Sequence, residues 1–210
     1  MKLHGYFRST ATYRVRIALN LKGLAYENVF HHLRHGEQRA PDYLKINPQG
    51  LVPALETDTG EILTQSLAIC EYLDEIRPDP PLLPAEPIGR ARVRAFADII
   101  ACDIHPVQNL KILERLKAMG QDGEAVKRWA AQVIEDGLDA CETVIAGTRG
   151  PYCFGAAPTL ADIMLVPQLV NARRFGARLD WPRLLAVEKA CLALPAFADA
   201  APERQPDYEE

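Results

Sequence analysis

Near the start of the chain, LHGYFRSTATYRVRIALNLKG sets three hydroxyl residues, Ser9, Thr10 and Thr12, between a short apolar stretch and a helical pattern that carries Arg8, Arg14 and Arg16. The first turn of a helix has unpaired N–H donors and a partial positive charge, so a thiolate or carboxylate placed there is stabilised. A hydroxyl at that position also serves simply as a cap, and the local sequence leaves both roles open. Two further places have similar potential. In Leu51-Val52-Pro53 a proline interrupts an otherwise interior strand, where it cannot donate to the ladder. A cis bond before Pro53 turns the backbone outwards and leaves the Val52 N–H and C=O to pair with an extended peptide ligand; a trans proline on an edge strand is the alternative. At Gln65-Ser66, Ser66 opens a helix, and its hydroxyl and N–H suit a carboxylate as well as they suit capping alone.

The elements that must position these residues alternate in type over the first 80 residues. Lys2–Tyr6 reads as a strand, Thr12–Lys22 as a helix stopped by Gly23, and Tyr26–Phe30 as a second strand. A polar loop precedes the apolar run Leu51–Leu55, the Asp58-Thr59-Gly60 turn and a strand at Glu61–Thr64, which together make a hairpin. The helix opened by Ser66 follows. The order βαβ then ββα predicts a mixed α/β sheet with helices on it, expected over 1–80. Residues 81–87 lie in RPDPPLLPAEP, which continues neither a helix nor a central strand and is read as a linker. From 88 to 210 the spacing is helical, predicting an all-α bundle. Within it Pro158-Thr159-Leu160-Ala161-Asp162 has the pattern of an N-cap with an acid at the third helical position.

Composition narrows the class. A formal net charge of −4 provides no general field for gathering nucleic acid or anionic membrane, so an anionic ligand has to be held by local arginines. Neither an apolar run of membrane-spanning length nor an apolar leader core is apparent, and the expectation is a cytoplasmic protein. Five scattered cysteines, an odd number without C-x-x-C spacing, argue against a disulfide framework or a zinc site; no metal is expected, and the cysteines read as small core residues.

Taken together, a βαβ-ββα half with VP and QS, a proline-rich linker, and a helical half with T-L-A-D resemble the soluble glutathione transferases. FRSTATYRVRIAL is similar to the signature of the zeta class, which includes maleylacetoacetate and maleylpyruvate isomerases; CDIHPVQNLKIL and PTLADIMLVPQLVNARRF extend the resemblance over nearly the whole chain. It implies a thioredoxin-like first domain and the cofactor glutathione. Val52, beside Pro53, would pair with its backbone, Gln65 and Ser66 would hold the γ-glutamyl carboxylate, and Gln38 or a polar neighbour would meet the glycyl end. The sulfur would lie at Ser9 and Thr10, whose hydroxyls favour the thiolate, the nucleophilic form.

The implied reaction is glutathione-dependent cis–trans isomerisation of a maleyl keto acid, with conjugation or dehalogenation of electrophiles, or a non-catalytic glutathione-binding module, as alternatives. The substrate would be a small dicarboxylate, and arginine binds carboxylate bidentately. Arg8 is the implied clamp near the hydroxyls, and Arg173 or Arg174, with Arg174 taken, on the late helix; His105 and Asn109 are the remaining substrate candidates. A homodimer is expected on the same resemblance. The chain departs from the class pattern at Ala11, where cysteine is usual, at Thr10 and Thr12, where serine is, at Tyr13, where tryptophan or histidine is, and at Leu110, where the maleylpyruvate-type enzymes tend to carry arginine.

Overall fold

Four short strands, β1 (Lys2–Gly5), β2 (Glu27–Phe30), β3 (Ala54–Glu56) and β4 (Ile62–Thr64), form one sheet in the order β2-β1-β3-β4 in the computed structural model, which describes residues 1–209. β1 pairs parallel with β2, Lys2 opposite Glu27, and antiparallel with β3, His4 opposite Ala54; β3 and β4 form the antiparallel hairpin expected around the Asp-Thr-Gly turn. The parallel pair needs a crossover, and α1 (Thr10–Leu21) supplies it. The expected strand at Leu51–Leu55 is shorter and later, because the Val52–Pro53 bond is cis and the ladder begins only at Ala54. The loop expected after β2 contains a helix, α2 (Pro41–Ile46), opened by proline at its first position; with one buried residue, Tyr43, it is too short to show a periodic face.

The chain clusters into two compact units, Met1–Leu82 with the segment from Ala193 onward, and Leu83–Leu192. The expected helical domain of 88–210 therefore loses its last segment to the first unit. The physical reason lies on α1, where every residue from Thr10 to Leu19 is buried. One side packs on α3 (Ser66–Ile76), and the other is covered by α9 (Pro195–Ala198) and the residues after it. Tyr13 Oη donates to the Phe197 carbonyl at 3.3 Å, and Arg16 donates to the carbonyls of Ala200 and Phe7 at 2.9 and 3.2 Å. Burial pushes the Arg16 guanidinium down to about 10, so it stays charged at neutral pH among carbonyl dipoles. Arg16 is thus a structural residue and is spent on holding the C-terminal segment. Lys22, paired with Asp74 at 2.6 Å, also binds the Pro80 carbonyl, which fixes the proline-rich stretch to this unit.

The second unit is helical: α4 (Pro87–Asp98) runs into a π-helical segment (Ile99–Ile104), followed by α5 (Leu110–Ala118), α6 (Gly123–Ile145), α7 (Leu160–Phe175) and α8 (Pro182–Leu192). α7 is its central element, with all residues from Leu160 to Leu169 buried. Side chains such as Leu165 and Leu169 each contribute about 1.5–3 kcal/mol by burial. The start of α7 is closed as its sequence predicts: Thr159 donates to Asp162 Oδ2 through N at 2.7 Å and through Oγ1 at 2.9 Å, and Cys153 N donates to Oδ1 at 2.8 Å. Four cysteines are buried core residues; Cys102, in the π-helical segment, is exposed, contrary to the expectation for all five. No described helix is long and apolar enough to cross a membrane.

Candidate functional site

In the first unit the three places singled out by residue type lie on the ends of β1, β3 and β4 and the helix starts next to them. α1 is brought hard against β1: a Cβ added at Gly5 would sit 2.3 Å from Thr12 Cγ2, so only glycine permits this approach. Ser9 is the N-cap of α1, and its Oγ accepts from Thr12 N at 3.2 Å. Accepting in this way uses a lone pair and keeps the hydroxyl hydrogen for a second partner. Capping and anion holding are therefore compatible at Ser9. Thr10, the first helical residue, is buried, Arg8 is half-buried just before it, and no acidic residue lies in the first turn to compete with an external anion.

Val52 stands immediately before the β3 ladder, in a turn pinned through its neighbour: Tyr43 Oη and Asn47 Nδ2 donate to the Leu51 carbonyl at 2.6 and 2.7 Å. Burial raises the Tyr43 phenol far above its ordinary range, so it remains a donor at all relevant pH. Gln65 is the N-cap of α3 with φ 68°, a region that L side chains avoid, and its Nε2 donates to Gln49 Oε1 at 2.9 Å. Such backbone outliers cost about 1–3 kcal/mol and concentrate at ligand sites. Ser66 is buried, and its Oγ accepts from Arg14 Nη1 at 3.3 Å. Arg14, 1% exposed, is a functional candidate that residue types do not single out, because nothing in its spacing marks a buried cation behind Ser66. Gln38 is buried with Oε1 unpartnered, and an acceptor is the wrong polarity for a carboxylate. Gln49, exposed and bonded to Gln65, is a neighbouring amide that residue types do not single out either.

The C-terminal segment adds a contact absent from any motif. Phe7 N donates to Asp207 Oδ2 at 2.9 Å, Tyr6 Oη donates to Glu209 Oε1 at 3.3 Å, and His32 pairs with Glu209. The His32 contact holds the Glu209 carboxyl below its ordinary range.

In the second unit His105 follows the π-helical segment, donating its N–H to the Ile100 carbonyl at 2.9 Å, and its side chain is half-buried. Isolated π-turns of this kind occur often at functional sites. Asn109 caps α5, its Oδ1 accepting from Lys111 N at 3.4 Å, so that oxygen has a structural task. The two arginines of α7 separate clearly. Arg173 is locked by Glu188 in a bidentate pair, 2.6 Å on each arm, whereas Arg174 donates through Nη1 to the neutral Asn171 Oδ1 at 3.2 Å.

A mixed sheet of this order with an α1 crossover, a cis proline before β3 and a separate helical unit defines a thioredoxin-like glutathione-transferase architecture. Residues 8–76 match the model of the glutathione S-transferase N-terminal domain and residues 111–190 that of the C-terminal domain. The chain is 51% identical over 210 residues to the maleylacetoacetate isomerase of Pseudomonas aeruginosa, covering 99% of this chain and 98% of that one. Among solved structures it matches a maleyl pyruvate isomerase described as a bacterial zeta-class glutathione S-transferase, at 48% identity, TM-score 0.97 and full coverage of both chains. It also matches the maleylacetoacetate isomerase of Methylobacterium extorquens AM1 with bound malonate and GSH, at 42% identity, TM-score 0.96 and full coverage of both. The chain belongs to the glutathione S-transferase family, within its zeta-class branch of maleylacetoacetate and maleylpyruvate isomerases.

Proposed function

We propose that this protein is a glutathione-dependent cis–trans isomerase of a maleyl keto acid, maleylacetoacetate or maleylpyruvate. The observation that carries the reading is the start of α1, where Ser9 caps the helix as an acceptor and retains its hydroxyl hydrogen, with Arg8 next to it and no competing acid in the turn. The residues of the first unit fit glutathione: the start of α3 lacks an acid, Ser66 is backed by the buried Arg14, and Gln65 holds a backbone conformation that a site would justify. When bound, glutathione supplies a thiolate whose reversible addition frees the substrate double bond to rotate.

Ser9 donates its hydroxyl hydrogen to the sulfur, and together with Thr10 and the helix start it favours the charged form of the thiol. Val52 offers main-chain groups to the peptide backbone beside Pro53, while Gln65, Ser66 and Arg14 bind the γ-glutamyl carboxylate. Gln38 and Gln49 are both proposed for the glycyl end, with Gln49 the better placed in polarity. Arg8 and Arg174 bind the substrate carboxylates, and His105 donates to the keto oxygen as negative charge develops there. Asn109 is retained as a substrate contact through its amide donor, its Oδ1 being engaged by the cap. On this reading the first unit binds glutathione and carries Arg8, and the helical unit carries the other substrate contacts, each described by its own residues.

We carry over from the resemblance a homodimeric, cytoplasmic protein; sedimentation at micromolar concentration tests the dimer. The decisive assay follows loss of maleylacetoacetate and of maleylpyruvate with glutathione well below substrate. Many turnovers per glutathione, with none consumed, establish isomerisation and show which substrate is preferred. Stoichiometric consumption identifies a transferase, and glutathione binding without turnover a binding module.

A further inference from the structure

We infer that Gln108 and Asn171 are positioning residues that fix the guanidinium of Arg174 for the substrate carboxylate. The inference rests on the reading that Arg174 is part of the substrate clamp. Gln108, in the turn after His105, and Asn171, one helical turn before Arg174 on α7, are 2% and 4% exposed. Asn171 Nδ2 donates to Gln108 Oε1 at 2.9 Å, and Asn171 Oδ1 accepts from Arg174 Nη1 at 3.2 Å.

The polarity of this row runs one way. A guanidinium has donors only, so the atom of Asn171 facing it must be the oxygen. The amide nitrogen then faces Gln108, which must present its own oxygen. Each amide is therefore locked by the next, and the order begins at the turn that carries His105. Gln108 Nε2 is left buried without a partner. Turning the Gln108 amide over would put donor against donor at Asn171 and release Asn171 to turn its nitrogen toward Arg174. The unpaired donor is the consequence of holding the oxygen on Asn171. Buried amides lacking a partner are uncommon and call for a reason. Here the reason is that the Gln108 oxygen holds the Asn171 nitrogen, and so keeps the Asn171 oxygen turned toward Arg174. The row also ties the segment bearing His105 to the helix bearing Arg174, so two of the proposed substrate contacts share one support.

The test compares Gln108→Met, which removes the acceptor at similar volume, with Gln108→Glu, which keeps an acceptor for Asn171, and each is repeated in an Arg174→Leu background. Readouts are KM for the cis substrate, KM for glutathione, and inhibition by malonate as a simple dicarboxylate probe. The expected result is a rise of roughly 5–20-fold in substrate KM and in the malonate inhibition constant for Gln108→Met, with glutathione KM unchanged, and recovery toward wild type in Gln108→Glu. In the Arg174→Leu background Gln108→Met has no further effect on either constant, because the group it positions is gone. Equal changes in both KM values, no rescue by Gln108→Glu, or full additivity with Arg174→Leu overturns the inference. Should Gln108→Met not fold, Asn171→Leu with the same double-variant comparison carries the test, and additivity there overturns it likewise. The clamp and its support fail separately. If Arg174→Leu itself leaves substrate KM unchanged, the clamp reading is at fault; if it raises KM and Gln108→Met does not, only the positioning role is.

Discussion

Two helices of this chain begin with a hydroxyl cap, and they treat the same electrostatic problem in opposite ways. At α7 the chain supplies its own anion: Asp162, wholly buried, accepts from Thr159 N, Thr159 Oγ1 and Cys153 N, so the helix start is closed. At α1 the Ser9 hydroxyl accepts from Thr12 N and no acid follows in the first turn, so the start is open. α3 repeats the open form, with Ser66 backed by Arg14 and again no acid. A closed start converts the helix dipole into stability, and an open one leaves it to act on a ligand. The difference comes down to a carboxylate at the third helical position.

The comparison breaks most visibly at Asp162. Asp162→Ala leaves two buried main-chain donors and a hydroxyl unpaired, and should cost about 3 kcal/mol of stability, read as a lower urea midpoint. The protein that remains folded keeps wild-type KM values, since α7 is closed to ligands at that end. Ser9→Ala has the converse signature. It should lower kcat/KM roughly 100-fold through loss of a donor to developing charge, while stability falls only by about 1 kcal/mol as for an ordinary cap. Full turnover in Ser9→Ala, with glutathione binding unchanged, would remove Ser9 from thiolate activation and return it to capping alone. Thr159→Ala, the matched change at the closed end, should cost about 1 kcal/mol and leave every kinetic constant alone.

The closed start was legible from residue types because Thr159 and Asp162 lie within four positions, and the βαβ-ββα order was legible from local patterns; at Pro53 residue types left cis and trans open, and the structure has the cis bond. Legibility failed wherever a partner was distant or nameless. Arg14 and Arg16 have no assigned role by spacing, yet both are buried, one against Ser66 and the other against the carbonyls of Ala200 and Phe7, and carbonyls carry no sequence signal. For the same reason the segment after Ala193 reads as part of the helical half, although Phe197 and Ala200 hold it to α1. Asn109 reads as a ligand contact, whereas its oxygen caps α5. Gln108, Asn171 and Gln49 carry no sequence signal, because an amide gains meaning only from the neighbour that orients it.

Gln65 offers the sharpest separation of the two kinds of helix start, although its expected effect on stability is the smallest. Its φ of 68° is unfavourable for any residue with a Cβ and ordinary for glycine. Gln65→Gly relieves that conformation but adds backbone freedom to the unfolded chain, so the net gain should be no more than about 1 kcal/mol, seen as a slightly raised Tm. A cap whose purpose is stability gains nothing by keeping glutamine there. A cap kept open for a ligand does, because the side chain bonds Gln49 and presents an amide at the start of α3. Gln65→Gly should therefore raise the KM for glutathione while stability is held or improved. A fall in stability with KM unchanged would show α3 to be a closed start of another design, and the contrast with α7 would then rest on α1 alone.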